Sequence, residues 1–575
     1  MLIKEKENIL YLSATVILTG VLFGINISAQ SMTWSQDVWF HLSRIHEINV
    51  ALSHGQLPSM VNFNSFSSVG QAVNAMYPNG TLILLVWMTQ WLSPISQYFA
   101  IMVIPILVGS VCTYVVAKRI GASSFQAFAF SMMISSLMRP QFNNVQTSLS
   151  MIFTTYAIIL SFYALILMSK SFNISAILLL SIAVSLVVNT HILSTILLVL
   201  YLIVLTLYFW HQSVIKVDML KQIGIAALIS IILSAYSLYN IFVMMGNKLT
   251  QPFNFKLING TLNLDNLFSS AINWQYSTSF SLFSLMALFI ICIKWHELTT
   301  TIRYLSIISG GLILLMTALV PWGALQNSLF SIIQFPTRFM VFTNVTLLIV
   351  LLLIIIKYGN NASNWLMIFL SILIIGNRIV NNWQYRQESL VDLSPKIYHR
   401  GVFDLMKSSR ISNSIIRRDD FFELRKYPEY LPQQSLVVKS NRNSLLKPDS
   451  QQMRTFNHEA LNQGTLIRGK KLASTANSVT YSFDKVKSGE LGVPFFAFTN
   501  LNYQIQVNNK ISNYKKNDRG TLNVHIKNSG EQVIKVSLIQ PLVVKLLWVI
   551  GLIGWSVTFI VLLLPKHKLK LKSNK

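Results

Sequence analysis

The chain contains few acidic side chains and few cysteines, and both shortages limit what it can do. Only 20 of its 575 residues are Asp or Glu, against 46 Lys or Arg, so the formal net charge is +26. Both cysteines, Cys112 and Cys292, lie in apolar segments, which excludes a disulfide scaffold or a cysteine metal site. Walker, dinucleotide-binding and common hydrolase motifs are absent, which disfavours ATP-driven transport by this chain alone.

Apolar residues are abundant, at 53% of the chain, whereas charged residues make up 11%. Apolar runs of helical length recur, so we predict a polytopic α-helical membrane protein. About twelve spans are expected, at residues 9–27, 97–117, 122–138, 150–169, 173–189, 192–210, 222–243, 278–294, 302–320, 338–357, 364–381 and 542–564. Positive charge is dispersed over loop ends and the tail, which is typical of membrane orientation and not of nucleic-acid binding.

The apolar stretch at residues 80–93 decides the predicted topology. It is short for a bilayer of ~30 Å. Counting it as a span would place Lys118, Lys170 and Lys357 outside, against the positive-inside tendency. We therefore expect it to lie in the outer leaflet or to re-enter, with the first span retained as a signal anchor and both termini in the cytoplasm.

The polar stretch 385–540 differs from the rest of the chain. Alternating runs at 479–483, 503–507 and 522–526 predict strands, because period two is typical of half-buried strands. Asn508-Asn509 and Asn528-Ser529-Gly530 supply residues that hairpin turns need. We predict three parts: a membrane module at 1–384 with an outer loop at 28–96, a mostly β outer domain at 385–540, and a final span with a basic tail at 541–575.

Acidic residues that face outward in the membrane module are candidates for catalysis, and this topology leaves Asp37, Glu47 and Asp265. Helical spacing places Asp37 on one face with His41 and Arg44. A carboxylate beside cations at a membrane surface suggests a catalytic base. The alternative is an ordinary Asp37–His41 pair on a solvated helix, and for Glu47 we favour a solvated surface position.

Another face of this helix, formed by Phe40, Ile45 and Ile48, could rest on lipid or on neighbouring helices.

Outward-facing cations could form an anion site with this carboxylate. They are Arg139, His191 and Arg338, the last preceded by Gln334. Arginine suits bidentate phosphate binding. Snorkelling arginines and a packing histidine are the alternatives.

Several short motifs, in this order and spacing, resemble one known family. They are Asp37-Val-Trp-Phe-His41-Leu-Ser-Arg44, Gly55-Gln-Leu-Pro58, Met76-Tyr-Pro78, Thr190-His-Ile-Leu-Ser194, Gln334-Phe-Pro-Thr-Arg338 and Val493-Pro-Phe-Phe-Ala-Phe498 leading to Tyr503. Over nearly its whole length the chain resembles the YfhO-like bacterial membrane proteins, also called 6-pyruvoyl-tetrahydropterin-synthase-related membrane proteins, of the GT-C glycosyltransferase superfamily.

The resemblance implies a plasma-membrane glycosyltransferase that takes a sugar from a polyprenyl-phosphate donor. The acceptor would be an extracytoplasmic envelope polymer or lipid, such as a teichoic acid or glycolipid. Asp37 occupies the position of the acidic residue at the catalytic centre. Many relatives carry a second acid in the next outer loop, where this chain has amides and Thr147. We therefore expect no cofactor, because a lone carboxylate binds divalent cations poorly.

We assign roles to the candidate residues on this basis. Asp37 is the base, Arg338, Arg139, His191 and His41 bind the donor phosphate, and Trp39, Tyr77 and Gln334 contact sugar or lipid. Displacement would invert the anomeric carbon.

Two other functions remain open. One is a lipid-linked glycan transporter in which Asp37 and His41 relay protons or hold an ion, which buried charges within spans would favour. The other is a scaffold whose β domain binds envelope partners.

Overall fold

A computed structural model describes residues 2–138, 149–250, 255–263, 271, 279–390, 397–398, 405–406, 410–418, 420–423, 426–435 and 451–564. Within these residues seven helices are long and apolar enough to cross a membrane, or eight if one bent pair counts as a span. A mostly β region precedes the last of them. The predicted class, a helical membrane protein with a β region near the C-terminus, is confirmed.

Each predicted span contains a helix. The longer helices are Leu2–Gly24, Gln36–Ser53, Gly80–Thr89, Pro94–Ile120, Ser124–Ser136, Leu149–Met168, Ile174–Val188, Ile192–Gln212, Lys216–Leu233, Ala235–Met245, Leu282–Lys294, Thr300–Met316, Met340–Tyr358, Asn361–Leu390 and Leu542–Leu563. The short helices are Val73–Met76, Trp322–Leu325, Asn413–Ile416 and Gln451–Phe456. Ser124–Ser136 and Leu282–Lys294 have 13 residues each, fewer than the ~20 that a span needs. The number of crossings therefore stays a prediction.

The stretch at residues 80–93 contains the helix Gly80–Thr89, which has 10 residues. At 1.5 Å per residue this helix is about 15 Å long, half the thickness of the hydrocarbon layer. Its length agrees with the interpretation that this stretch does not cross.

The segment predicted as one span at 222–243 is broken instead. Lys216–Leu233 and Ala235–Met245 meet at an angle of 75°. The Leu233 carbonyl at the break accepts hydrogen bonds from Asn189 Nδ2 at 3.1 Å and from Trp555 Nε1 at 3.1 Å. Because these side chains satisfy the freed carbonyl, the bend is stable inside the protein. Asn189 and Trp555 are both far from Leu233 in sequence, so the hydrophobic periodicity of this segment did not reveal the break.

Within the described residues the strands form one large antiparallel sheet and two small ones, one of which pairs β1 of the outer loop with β4. The strands are β1 (Ser31–Thr33), β2 (Ile397–Tyr398), β3 (Leu405–Met406), β4 (Arg410–Ser412), β5 (Glu459–Asn462), β6 (Thr465–Ser474), β7 (Ser478–Val486), β8 (Gly489–Phe496), β9 (Tyr503–Val507), β10 (Lys510–Ser512), β11 (Tyr514–Lys516), β12 (Thr521–Ile526) and β13 (Gly530–Leu538). The nine-stranded sheet has the order β10-β9-β13-β7-β6-β5-β8-β12-β11. All three predicted strands are present.

One of the two predicted hairpin turns is confirmed and the other is wrong. Asn508 and Asn509, with φ of 50° and 65°, join the paired strands β9 and β10. Asn528–Gly530 connects β12 to β13, which are not neighbours. Each of these two strands already has partners on both sides, since β12 pairs with β8 and β11 and β13 with β7 and β9. The turn therefore connects two strands that are not adjacent in the sheet.

The β domain docks on the outer loop 28–96 through backbone contacts. The carbonyl of Val69 accepts from Phe496 N at 2.8 Å, that of Ser68 from the Tyr481 hydroxyl at 2.6 Å, and that of Ser67 from the His458 ring at 2.7 Å. Ser67 and Ser68 have φ of 63° and 57°. This left-handed turn costs roughly 1–2 kcal/mol per residue, and the docking contacts offset that cost.

The docking contact predicts the effect of a methyl group at Gly70. Gly70 has a φ of +78°, and a Cβ there would clash with the Cζ end of the Phe495 ring. Gly464 has a similar φ of +80° in open space. Both Gly→Ala changes lower the free energy of unfolding, because Ala tolerates a left-handed φ poorly. Gly70→Ala should lower it by a further ~1–3 kcal/mol because the new methyl group overpacks against Phe495. Thermal unfolding of both variants in nanodiscs measures the difference, and equal losses would contradict the docking geometry.

Candidate functional site

The helix Gln36–Ser53, here called the site helix, carries the predicted carboxylate. It begins where the Ser35 hydroxyl accepts from Val38 N at 3.1 Å. Asp37 lies half-buried in the first turn, where the helix dipole favours negative charge. His41 and Arg44 follow on the same face, as the spacing predicts.

The apolar side of the site helix is covered by protein. Trp39 has no exposed surface, and Phe40 and Ile48 are buried. The Trp39 indole donates to the Phe421 carbonyl at 3.0 Å and packs edge-on against Phe66 at 5.3 Å. Phe40 packs against Phe66 at 5.5 Å and Tyr427 at 5.2 Å, so the outer loop and the segment 426–435 cover this residue of the face that was expected to rest on lipid or on neighbouring helices. Because Trp39 is fully enclosed, we leave it out of the candidate site.

Glu47 is not a solvated surface residue, so that prediction is wrong. It is 1% exposed. Its carboxylate accepts from Phe63 N at 2.8 Å, Asn64 N at 3.0 Å and the Ser65 hydroxyl at 2.7 Å. A buried carboxylate requires such donors. Glu47 therefore fixes the outer loop to the site helix, and its role is structural.

Arg44 connects the site helix to the motif Met76-Tyr-Pro78. Its Nη2 donates to the carbonyls of Tyr77 at 3.3 Å and Pro78 at 2.8 Å. Its guanidinium lies 4.3 Å from the Tyr77 ring centroid, and its Nη1 is 3.4 Å from His41 Nδ1. Burial lowers the Arg44 pKa to about 10, so the group remains charged at neutral pH.

His191 joins this group from the start of the helix Ile192–Gln212. Its ring lies 5.2 Å from that of Tyr77. Its Nδ1 accepts from Ser194 N at 3.2 Å, so in the neutral imidazole the proton is on Nε2. Burial, then Arg338 and Arg44, lower the His191 pKa to about 3. His191 is therefore a neutral hydrogen-bond donor to this site.

Arg338 approaches from the short 3₁₀ turn before the helix Met340–Tyr358. Its Nη2 donates to Gln334 Oε1 at 2.8 Å, and Gln334 has a left-handed φ of 61°. Arg338 Nη1 is buried and has no hydrogen-bond partner among the described residues. Since buried donors are normally satisfied, this nitrogen is suited to an anionic ligand.

Glu429 is a second carboxylate that sequence analysis missed. It is 8% exposed and belongs to the segment 426–435 before the large sheet. Gln71 Nε2 donates to the carbonyls of Tyr427 and Glu429, while the Tyr430 backbone pairs with Thr250 and Ala72. These partners are far apart in sequence, so no local pattern indicated that this segment reaches the site.

Four charged groups act electrostatically on the Tyr77 side chain. Burial raises the pKa of the Tyr77 phenol. The guanidinium groups of Arg44 and Arg338 act against this rise, and the carboxylates of Asp37 and Glu429 add to it. Two cations and two carboxylates thus act on one aromatic ring, and they come from three parts of the chain: the site helix, the turn before Met340–Tyr358 and the segment 426–435.

Some predicted residues cannot be placed in this group. Arg139 and Asp265 lie outside the described residues, as does the loop that holds Thr147. Within the described part of the chain no group of three or more His, Cys, Asp or Glu side chains could hold a metal ion. The expectation of no cofactor assumed a lone carboxylate, and Glu429 removes that assumption.

Comparison with known proteins adds no assignment. No model of a protein family matches the sequence, and no curated protein matches it. The family resemblance thus rests on the motifs themselves.

The low pKa values of the two site histidines predict a pH dependence of stability. Burial, then Arg44 and His191, lower the His41 pKa from 6.5 to about 3, and His191 behaves alike. As pH falls from 6.5 towards 3, the unfolded chain takes up protons that the folded chain refuses, so stability decreases. The melting temperature of a His41→Gln/His191→Gln variant should therefore fall less over this pH range than that of wild type.

The control for this measurement is His525→Gln, at an exposed position in β12. It should follow the wild-type curve in nanodiscs. A double variant with the wild-type pH dependence would show that these histidines are not neutral in the folded protein.

Proposed function

We propose that this protein is a membrane glycosyltransferase that moves a sugar from a polyprenyl-phosphate donor to an extracytoplasmic acceptor. The observation that carries the proposal is the buried Arg44 guanidinium, 4.3 Å from the Tyr77 ring centroid, together with the half-buried Arg338, whose enclosed Nη1 has no partner among the described residues. The charges of Arg338 and Asp37 also act on Tyr77. Arg338 Nη1 supports it, because a phosphate oxygen would satisfy this buried donor. The acceptor would be an envelope glycopolymer or glycolipid.

The proposed reaction is a direct displacement at the anomeric carbon. Asp37 accepts the proton of the acceptor hydroxyl, and the hydroxyl oxygen forms a bond to the anomeric carbon. The bond from that carbon to the phosphate oxygen breaks, and the electron pair leaves on the polyprenyl phosphate. Arg338 and Arg44 stabilise the growing negative charge. Attack opposite the leaving group inverts the configuration.

Neutral side chains around the cations suit the sugar. His191 presents Nε2–H, and the Tyr77 ring offers a face against which a pyranose could pack. His41 stays neutral beside Arg44, since its pKa is about 3, so it is proposed as a hydrogen-bonding partner and not as a phosphate-binding cation. Gln334 orients Arg338.

The proposal includes twelve crossings of GT-C type, with both termini in the cytoplasm and the β domain outside. The helix Pro94–Ile120 ends in Lys118 and Arg119, and Met340–Tyr358 ends near Lys357. The site lies at the opposite end of Met340–Tyr358, beside Arg338. This polarity supports cytoplasmic basic ends and an outward-facing site.

Asp37→Asn tests the catalytic role. Loss of the base should lower transfer of labelled sugar to envelope polymers by about 10²–10⁴-fold, with little change in melting temperature. The assay uses cells that lack the gene, complemented at matched membrane abundance. Asp484→Asn, an exposed change in β7, is the control and should restore full transfer. Equal transfer by Asp37→Asn and wild type would remove Asp37 from the mechanism.

Arg338→Lys tests the phosphate contact separately. The change keeps the charge but removes the planar fork, so transfer should fall by about 10²–10³-fold. Arg303→Lys is the matched control and should leave transfer unchanged. Arg303 also donates to carbonyl groups, those of Trp295 and His296, but it lies at the end of the helices opposite to Arg338. If no gene-dependent transfer occurs with any donor, the enzyme proposal fails and not only the assignment of Arg338.

A further inference from the structure

A second cleft lies on a different side of the site helix. It has a volume of about 1090 Å³ and includes Leu42, Ile45, His46 and Asn49 in its lining. At 100° per residue these side chains point about 120° away from the face of Asp37. The stacked pair His46–Phe422, with ring centroids 4.0 Å apart, forms part of its wall. This cleft, here called the basic cleft, is therefore separate from the candidate active site.

The basic cleft is strongly cationic. Six basic side chains line it against two acidic ones, Asp420 and Glu423, an excess of four positive charges. The basic residues are Arg417, Arg418, Lys426, Arg468, Lys470 and Lys471.

Three of the six cations are engaged by the protein. Arg418 forms a two-pronged pair with Asp420 at 3.0 and 2.8 Å. Lys471 pairs with Glu423 at 2.7 Å. Lys426 donates to the Ser67 hydroxyl at 3.2 Å and to backbone carbonyls.

The other three cations are available to a ligand. Arg417, Arg468 and Lys470 are exposed, and within the described ranges none forms an ion pair. Arg417 follows the helix Asn413–Ile416, whereas Arg468 and Lys470 lie on β6. Positive charges on separate walls of a large cleft suit several anionic groups along a chain better than one small ion.

The basic cleft lies beside the start of a candidate membrane span. Leu92 and Pro94 contribute to its lining at the start of the span Pro94–Ile120. The neighbouring Trp91 is 79% exposed, and exposed tryptophans mark the headgroup level of membrane proteins. Pockets for drug-sized ligands are about 300–1,000 Å³, so the cleft exceeds the size that a single headgroup needs.

We propose that the basic cleft binds an anionic chain of phosphodiester units that serves as the acceptor. This inference rests on the proposed function for the role of acceptor, but binding itself does not require catalysis. Each unit carries one negative charge and a sugar or polyol with free hydroxyls. Arg417, Arg468 and Lys470 contact its phosphates while another unit reaches Asp37.

The experiment measures binding of a fluorescent poly(glycerol phosphate) oligomer to the full-length protein in phosphatidylcholine nanodiscs. Wild type should bind, and its affinity should fall as salt rises. The variant Arg417→Gln/Arg468→Gln/Lys470→Gln should bind about tenfold more weakly, because three exposed charge contacts are lost. The matched control Lys510→Gln/Lys515→Gln/Lys527→Gln removes the same charge from exposed positions of the β domain outside the cleft and should bind like wild type.

Further arms separate the outcomes. Oligomer binding to wild type is measured without a sugar donor, so a failure of the transfer assay alone leaves the inference about the cleft intact. Equal binding by the cleft variant and the matched control would overturn the inference. Loss of oligomer binding to wild type when phosphatidylglycerol is added to the nanodiscs would also overturn it, because lipid headgroups would then occupy the cleft. Binding of neutral dextran as strongly as the oligomer would also overturn the inference, because the charge of the chain would then not matter.

Discussion

The site depends on how Arg44 is buried. This arginine is 4% exposed, and a charge removed from water must be satisfied by fixed partners. The carbonyls of Tyr77 and Pro78 and the Tyr77 ring supply them. The requirement therefore fixes Tyr77 against the site helix, and the remaining site residues assemble around that ring. The cost of burying the Arg44 charge is offset by the contacts of the outer loop. Glu47, in the next turn of the same helix, holds this loop in place.

The β domain contributes to the membrane module and is not a separate appendage. Tyr481 in β7 and His458 just before β5 hold the left-handed turn at Ser67 and Ser68 in place. The segment 426–435 brings Glu429 close enough for its charge to act on Tyr77. One side of the site helix thus faces the candidate active site, while another lines the basic cleft.

Much of this arrangement could be predicted from the sequence. Helical spacing placed Asp37, His41 and Arg44 on one face, and the topology put His191 and Arg338 on the same side of the membrane. The structure brings these residues together. Sequence analysis could not find Glu429, the break at Leu233 or the buried role of Glu47, since each depends on partners that are distant along the chain. Local periodicity indicates which residues lie on the same face of a helix, but it does not indicate which part of the protein covers that face.

The most direct test of the account is a structure of the protein in nanodiscs with a non-reactive donor analogue, a polyprenyl phosphonate sugar. The account predicts phosphonate oxygens within hydrogen-bonding distance of Arg338 and Arg44, with the anomeric carbon facing Asp37. A phosphonate bound elsewhere, with Arg338 and Arg44 unchanged and uncontacted, would contradict the assignment of this cluster as the donor site.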